Sequence, residues 1–109
     1  MTEQEMDLLL DKQRAFFQSG ATMHVERRIE MLKKLRSLIR KYTPEIAQAL
    51  HSDLGKSEQE AFMCEIGLAL TEITYMIRHT RGFSRKRYRP TPLAQFAAAS
   101  YELPTPYGN

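Results

Sequence analysis

Ala49-Leu50-His51-Ser52-Asp53-Leu54-Gly55-Lys56-Ser57-Glu58-Gln59-Glu60-Ala61 is the stretch that decides how this 109-residue chain folds. Gly55-Lys56-Ser57 has the look of the end of a phosphate-binding loop. Such a loop needs Gly-x-x-x-x-Gly-Lys-Ser/Thr after a strand, so that backbone N–H groups can wrap a phosphate. Leu50, not glycine, stands five residues before Gly55, and the preceding residues read as helix. Gly55 is better explained as the left-handed residue that stops one helix. Ser57 with Glu60 is then the capping box that starts the next.

The same punctuation recurs on both sides. Thr2 and Glu5 form a capping box for a first helix over about residues 3–19, with Met6, Leu9, Leu10, Gln13, Phe16 and Phe17 at helical spacing and Gly20 at its end. A second helix is expected from Val25 to Tyr42. Its stripe is Val25, Ile29, Leu32, Leu35, Ile39 and Tyr42, widened by Met31 and Leu38. Thr43 as cap and Pro44 at the first helical position open a third, short helix over 44–54, with Ile46, Ala47, Leu50 and Leu54 inward. The fourth runs from after Ser57 to about Arg81, with Phe62, Ile66, Leu70, Ile73 and Ile77 inward and Gly82 as its stop.

Beyond Gly82 the character changes. Arg85 to Arg89 is basic, and Pro90 and Pro92 forbid a regular helix. In Ala97 to Leu103, Tyr101 and Leu103 alternate with Ser100 and Glu102, a strand signal that Pro104 and Pro106 confine to an edge or a turn. The expected fold is mainly α: four helices over residues 1–82, then a basic, proline-punctuated arm over 83–109 with one or two short strands. No Gly-x-Gly-x-x-Gly fingerprint is present, nor a succession of strand and helix that builds a parallel sheet.

Bulk properties bound the reading. At this length one small domain is expected, and the 42% apolar and 27% charged content is that of an ordinary folded protein. No apolar run approaches a membrane span, and the acidic start Met1 to Glu5 lacks a signal-peptide pattern. A cytoplasmic location is the expectation. The single cysteine, Cys64, excludes an internal disulfide. The apolar faces are broad for so small a bundle, so an exposed apolar patch is expected.

Charge is uneven. Residues 1–72 carry ten Lys/Arg against twelve Asp/Glu; residues 73–109 carry six against Glu102 alone, all six between Arg78 and Arg89. With Phe83 and Tyr88 interleaved, that block has the composition to track a phosphate backbone while its rings stack on bases. A solvated linker, or one paired with acidic groups of a larger protein, is the simpler reading. Glu58, Glu65 and Glu72 recur every seven residues, yet no histidine lies three or four residues after any of them; a solvated helix face accounts for them. His24, His51 and His79 are scattered and make no zinc spacing.

Taken together, Asp53-Leu54-Gly55-Lys56-Ser57, Glu60-Ala61-Phe62-Met63 and Glu65-Ile66-Gly67 closely resemble the N-terminal helices of NAD(P)-dependent aldehyde dehydrogenases, nearest to the class-three-like branch. The resemblance extends upstream through Gln13 to Thr22 and Arg28 to Leu35. Downstream it takes in Pro90 to Phe96 and Ser100 to Gly108. It implies a parent of α/β fold that, as a whole, oxidises aldehydes to carboxylic acids.

In the family a cysteine thiolate attacks the carbonyl, a hydride leaves to NAD or NADP, asparagine and backbone donors hold the oxyanion, and a glutamate-activated water releases the acid. The resemblance implies that the parent is a homodimer. It also implies that residues 1–82 are a helical part of the cofactor-binding domain and 83–109 a linker and strand arm. Cys64 comes far too early to be the family's nucleophile and is expected to be a small packing residue. Asn109 comes too early to be the oxyanion asparagine. No catalytic, cofactor-binding or metal-binding residue is therefore expected in this segment, which is read as a fragment inactive by itself. The rival is an autonomous helical module that binds nucleic acid or an acidic partner through its basic arm; with the resemblance in hand, neither a nucleic acid nor a membrane span is expected.

Overall fold

The computed structural model describes residues 2–108. Its elements are α1 (Glu3–Gln18), α2 (Val25–Lys41), α3 (Thr43–Leu54), α4 (Glu58–Ala61), a π-helical turn (Phe62–Ile66), α5 (Gly67–Phe83), β1 (Arg87–Arg89), a 3-10 turn (Leu93–Gln95) and β2 (Ser100–Glu102). The chain is mainly α, as its periodicity requires, with one short β pair. α4, the π turn and α5 follow without a break and together form the fourth expected helix.

Two compact units result: Arg28–Thr80, and the segment up to Arg27 together with that from Arg81 onward. In Arg28–Thr80, Ala47 of α3, Ala61 of α4 and Ile66 of the π turn form a small core, flanked by Ile39, Ile46, Leu50 and Leu70. Two of these three are alanines, which lets α3 and α4 approach closely. Arg36 Nη1 donates to Thr74 Oγ1 at 3.2 Å, tying α2 to α5. Ile29 is also buried, so Ile29, Ala47, Ala61 and Ile66 are the buried apolar side chains among the described residues.

In the other unit, α1 opens on the expected capping box: Thr2 Oγ1 accepts from Glu5 N–H, and Thr2 N–H donates to Glu5 Oε2. Gly20, at φ 75°, provides the left-handed turn after it. β1 and β2 pair antiparallel, Arg87 opposite Glu102, Tyr88 opposite Tyr101 and Arg89 opposite Ser100.

Several expectations need correction. Gly82 does not stop the last helix: it has no positive φ, and α5 runs through it to Phe83. A single glycine near a helix end costs only about 1 kcal/mol relative to alanine, too little to break it. Thr43 does not cap α3. It is the first residue of the helix, and its hydroxyl donates back to the Ile39 carbonyl at 2.8 Å. Pro44 is consequently one position further in. α1 buries none of its stripe, and Met6, Leu9, Leu10 and Phe16 are exposed. Leu54 and Cys64 are exposed as well, not packed. The arm contains two short strands, within the one or two expected of it; β2 lies on the alternating stretch, and β1 on the basic one.

Candidate functional site

The Gly55–Ser57 connection joins α3 to α4. Gly55 sits at φ 68° and ψ 15°, and its N–H closes α3 onto the His51 carbonyl. His51 Nδ1 bonds to the Lys56 carbonyl at 2.9 Å. Ser57 Oγ accepts from Glu60 N–H, the arm of the expected capping box that opens α4. Lys56, the residue a nucleotide loop would aim at phosphate, instead donates through Nζ to Glu65 Oε1 at 2.5 Å. That hydrogen bond raises the Lys56 pKa above the ordinary lysine value, partial desolvation opposing it. The lysine is thus a fastener between the connection and the π turn.

Other candidates disperse in the same way. Cys64 is an exposed thiol in the π turn. His79 Nδ1 bonds to the Tyr75 carbonyl at 2.8 Å, and its ring stacks on that of Tyr75 at 4.0 Å. Of the three glutamates spaced by seven, Glu65 is in the Lys56 pair. Among the described residues, no group of three His, Cys, Asp or Glu side chains comes together to hold a metal. No described helix is long and apolar enough to cross a membrane.

Much of the basic arm is engaged by its own unit. Arg81 makes a two-pronged bond to Glu26, Nε to Oε1 at 2.7 Å and Nη2 to Oε2 at 2.6 Å, which raises the pKa of the guanidinium. Arg89 Nε donates to Glu102 Oε1 at 2.9 Å across the strand pair. Lys86 Nζ lies 4.5 Å from the centre of the Tyr101 ring, and Tyr88 meets Tyr101 edge to face at 5.9 Å. Of the two rings that would stack on bases, Tyr88 is instead in contact with Tyr101. The arm has the construction of a cross-strand cluster, in which side-chain pairs stabilise a short sheet.

Known proteins match this arrangement. The aldehyde dehydrogenase family model matches residues 1–108, and the chain belongs to that family. It is 37% identical over 95 residues to 4,4'-diaponeurosporen-aldehyde dehydrogenase of Staphylococcus aureus, covering 87% of this chain and 21% of that protein. With aldehyde dehydrogenase family 3 member H1 of Arabidopsis thaliana it shares 31% identity over 104 residues, 95% of this chain and 22% of the relative. A solved structure of the substrate-bound state of Staphylococcus aureus AldH superposes with a TM-score of 0.79 at 34% identity, covering 93% of this chain and 22% of that one. The chain therefore spans about a fifth of the length of these relatives.

The Gly55–Ser57 connection is not built as a dinucleotide-binding loop: Gly55 follows a helix and not a strand, and Lys56 is bound to Glu65. The described strands form an antiparallel pair, not the parallel sheet on which such a loop sits.

Proposed function

We propose that these 109 residues are the N-terminal helical scaffold of an NAD(P)-dependent aldehyde dehydrogenase and do no chemistry unaided. The whole enzyme oxidises an aldehyde to a carboxylic acid with NAD or NADP, acts as a homodimer and is cytoplasmic. Residues 1–82 contribute helices to its cofactor-binding domain, and 83–109 form a linker and strand arm that leads toward the rest of the subunit.

The observation that carries this reading is how little the chain buries. Among the described residues the fold fully covers the apolar side chains of Ile29, Ala47, Ala61 and Ile66 alone, and it leaves many large ones open to water, with Phe16 50%, Met63 65% and Phe96 85% exposed. Large exposed apolar patches mark surfaces that another polypeptide covers. The relatives supply a polypeptide of the right kind, since about four fifths of their length lies outside the match.

The test is a chimera in which this chain replaces the matched segment of Staphylococcus aureus AldH. A soluble chimera with aldehyde-dependent NAD(P)H formation supports the scaffold. A chimera that fails to fold, beside a reference enzyme that folds, contradicts it.

A further inference from the structure

A groove of about 360 Å³ between α2 and α5 is lined by two guanidinium groups and no carboxylate. Arg40 comes from α2; Arg78 comes from α5, with Leu70, Thr71 and Thr74 along the same wall. Helical spacing explains the set, since residues 71, 74 and 78 follow one another at intervals of three and four. Arg36 stands one turn before Arg40 and donates through Nη1 to Thr74 Oγ1 at 3.2 Å, so a third guanidinium is held at the edge. All of these residues lie within the unit Arg28–Thr80.

Arg40 and Arg78 differ from other cations of the chain. Arg14 pairs with Asp11, Lys56 with Glu65, Arg81 with Glu26 and Arg89 with Glu102. Among the described residues, neither Arg40 nor Arg78 has a carboxylate partner. Two like charges on one groove repel, and no acidic lining residue offsets them. Helix stability does not account for both. Arg40 lies in the last turn of α2, where a cation favours the helix dipole, but Lys41 serves there as well. Arg78 lies before the last turn of α5, whose cation is Arg81.

The neutral groups narrow the ligand further. Thr71 Oγ1 donates to the Gly67 carbonyl at 2.8 Å, and Thr74 Oγ1 to the Leu70 carbonyl at 2.7 Å. The charged donors open to a ligand are therefore the guanidinium groups. Beside them the rings of Tyr75 and His79 stack at 4.0 Å and 22°, forming a flat wall of the groove.

We infer that this groove binds a dianion of the phosphate class, either free phosphate or the phosphate of a small ring-bearing ester. A guanidinium presents parallel N–H bonds that match phosphate oxygens, and converging guanidinium groups suit a dianion better than a single carboxylate. The stacked wall offers a face to a ring attached to the phosphate. The site is built wholly within Arg28–Thr80 and does not depend on the scaffold reading.

The experiment is isothermal titration calorimetry of the purified 109-residue chain, and of the Staphylococcus aureus AldH chimera, at constant ionic strength. The probes are inorganic phosphate, phenyl phosphate and benzoate, and circular dichroism checks that each variant keeps its helices. Both phosphates should bind, and benzoate should bind about tenfold more weakly or not at all. Arg40→Gln and Arg78→Gln should each weaken phosphate binding by about tenfold or more. Arg78→Lys should weaken it too, because the charge remains and the fork is lost. Arg85→Gln, in the arm, should leave it unchanged. Phenyl phosphate tighter than inorganic phosphate supports the ester as ligand, and equal affinities support the free anion. A folded chain that binds neither phosphate overturns the site. An equal loss in Arg85→Gln overturns it, since diffuse positive charge would then be the cause. Benzoate as tight as phenyl phosphate overturns it in favour of a seat for an acidic side chain. Binding by the short chain that is absent from a folded chimera overturns it as well. So does a lack of helical signal in both settings, because the groove exists only between formed helices.

Discussion

A Cβ atom placed on Gly67 would stand 2.8 Å from the carbonyl oxygen of Phe62, the oxygen that accepts the Gly67 N–H. Backbone presses on backbone at this point, so no side-chain rotation relieves the contact. The sequence position that ends the π turn therefore admits glycine and strains against anything larger.

Gly67→Ala should destabilise the helical unit by about 1–3 kcal/mol, the usual cost of forcing atoms into filled space, against the modest gain alanine brings to an ordinary helix. Thermal melts followed at 222 nm measure it. A melt unchanged or raised by the substitution would show that the π turn relaxes to regular α-helix at no cost.

The Lys56–Glu65 pair should show itself in alkali. Its hydrogen bond raises the Lys56 pKa in the folded state. A raised pKa means stabilisation that is fully present below the unfolded lysine value, about 10.4, and lost as pH climbs through the higher folded value. The stability difference between the natural chain and Lys56→Met should hold from about pH 7 to about pH 9 and shrink above the ordinary lysine range. A difference that grows with pH in that upper range would refute the pairing.

Left-handed backbone occurs at both kinds of residue, with opposite consequences. Gly55→Ala should cost about 1 kcal/mol, because φ 68° presses a Cβ against the following carbonyl. Ala97 already carries that strain at φ 69°, so Ala97→Gly should leave stability unchanged or raise it by up to about 1 kcal/mol. Paired urea titrations of the two variants check the signs, and destabilisation by Ala97→Gly would count against the turn as described.

Nucleic acid should bind weakly and without dependence on the arm's rings. Arg89 pairs with Glu102, Lys86 lies over Tyr101, and Tyr88 contacts Tyr101. Fluorescence anisotropy with single-stranded RNA should detect at most a weak association that vanishes with salt. Tight binding, lost on neutralising Arg85, Lys86, Arg87 and Arg89, would revive the independent binding module.

Much of the helical order was readable because it depends on neighbours in sequence. Thr2 with Glu5, the left-handed Gly20 and Gly55, and Ser57 ahead of Glu60 are all local devices, and each forms as expected in whole or in part. Features set by distant partners were not readable. β1 exposes all three of its residues and owes its existence to pairing with β2, thirteen residues on from Arg89 to Glu102. Lys56 and Glu65 are nine apart and meet only because a connection and a π turn intervene. The π turn itself leaves the spacing of Phe62, Ile66 and Leu70 unaltered, so the apolar stripe gives no sign of it. Its one trace is Gly67, a glycine inside an otherwise helical run.

The most direct measurement is an assay of the purified 109-residue chain with NAD or NADP and a panel of aldehydes. A scaffold without a dinucleotide cradle should form no NADH or NADPH above the rate without protein. Aldehyde-dependent NADH or NADPH formation that follows the chain through purification would contradict it.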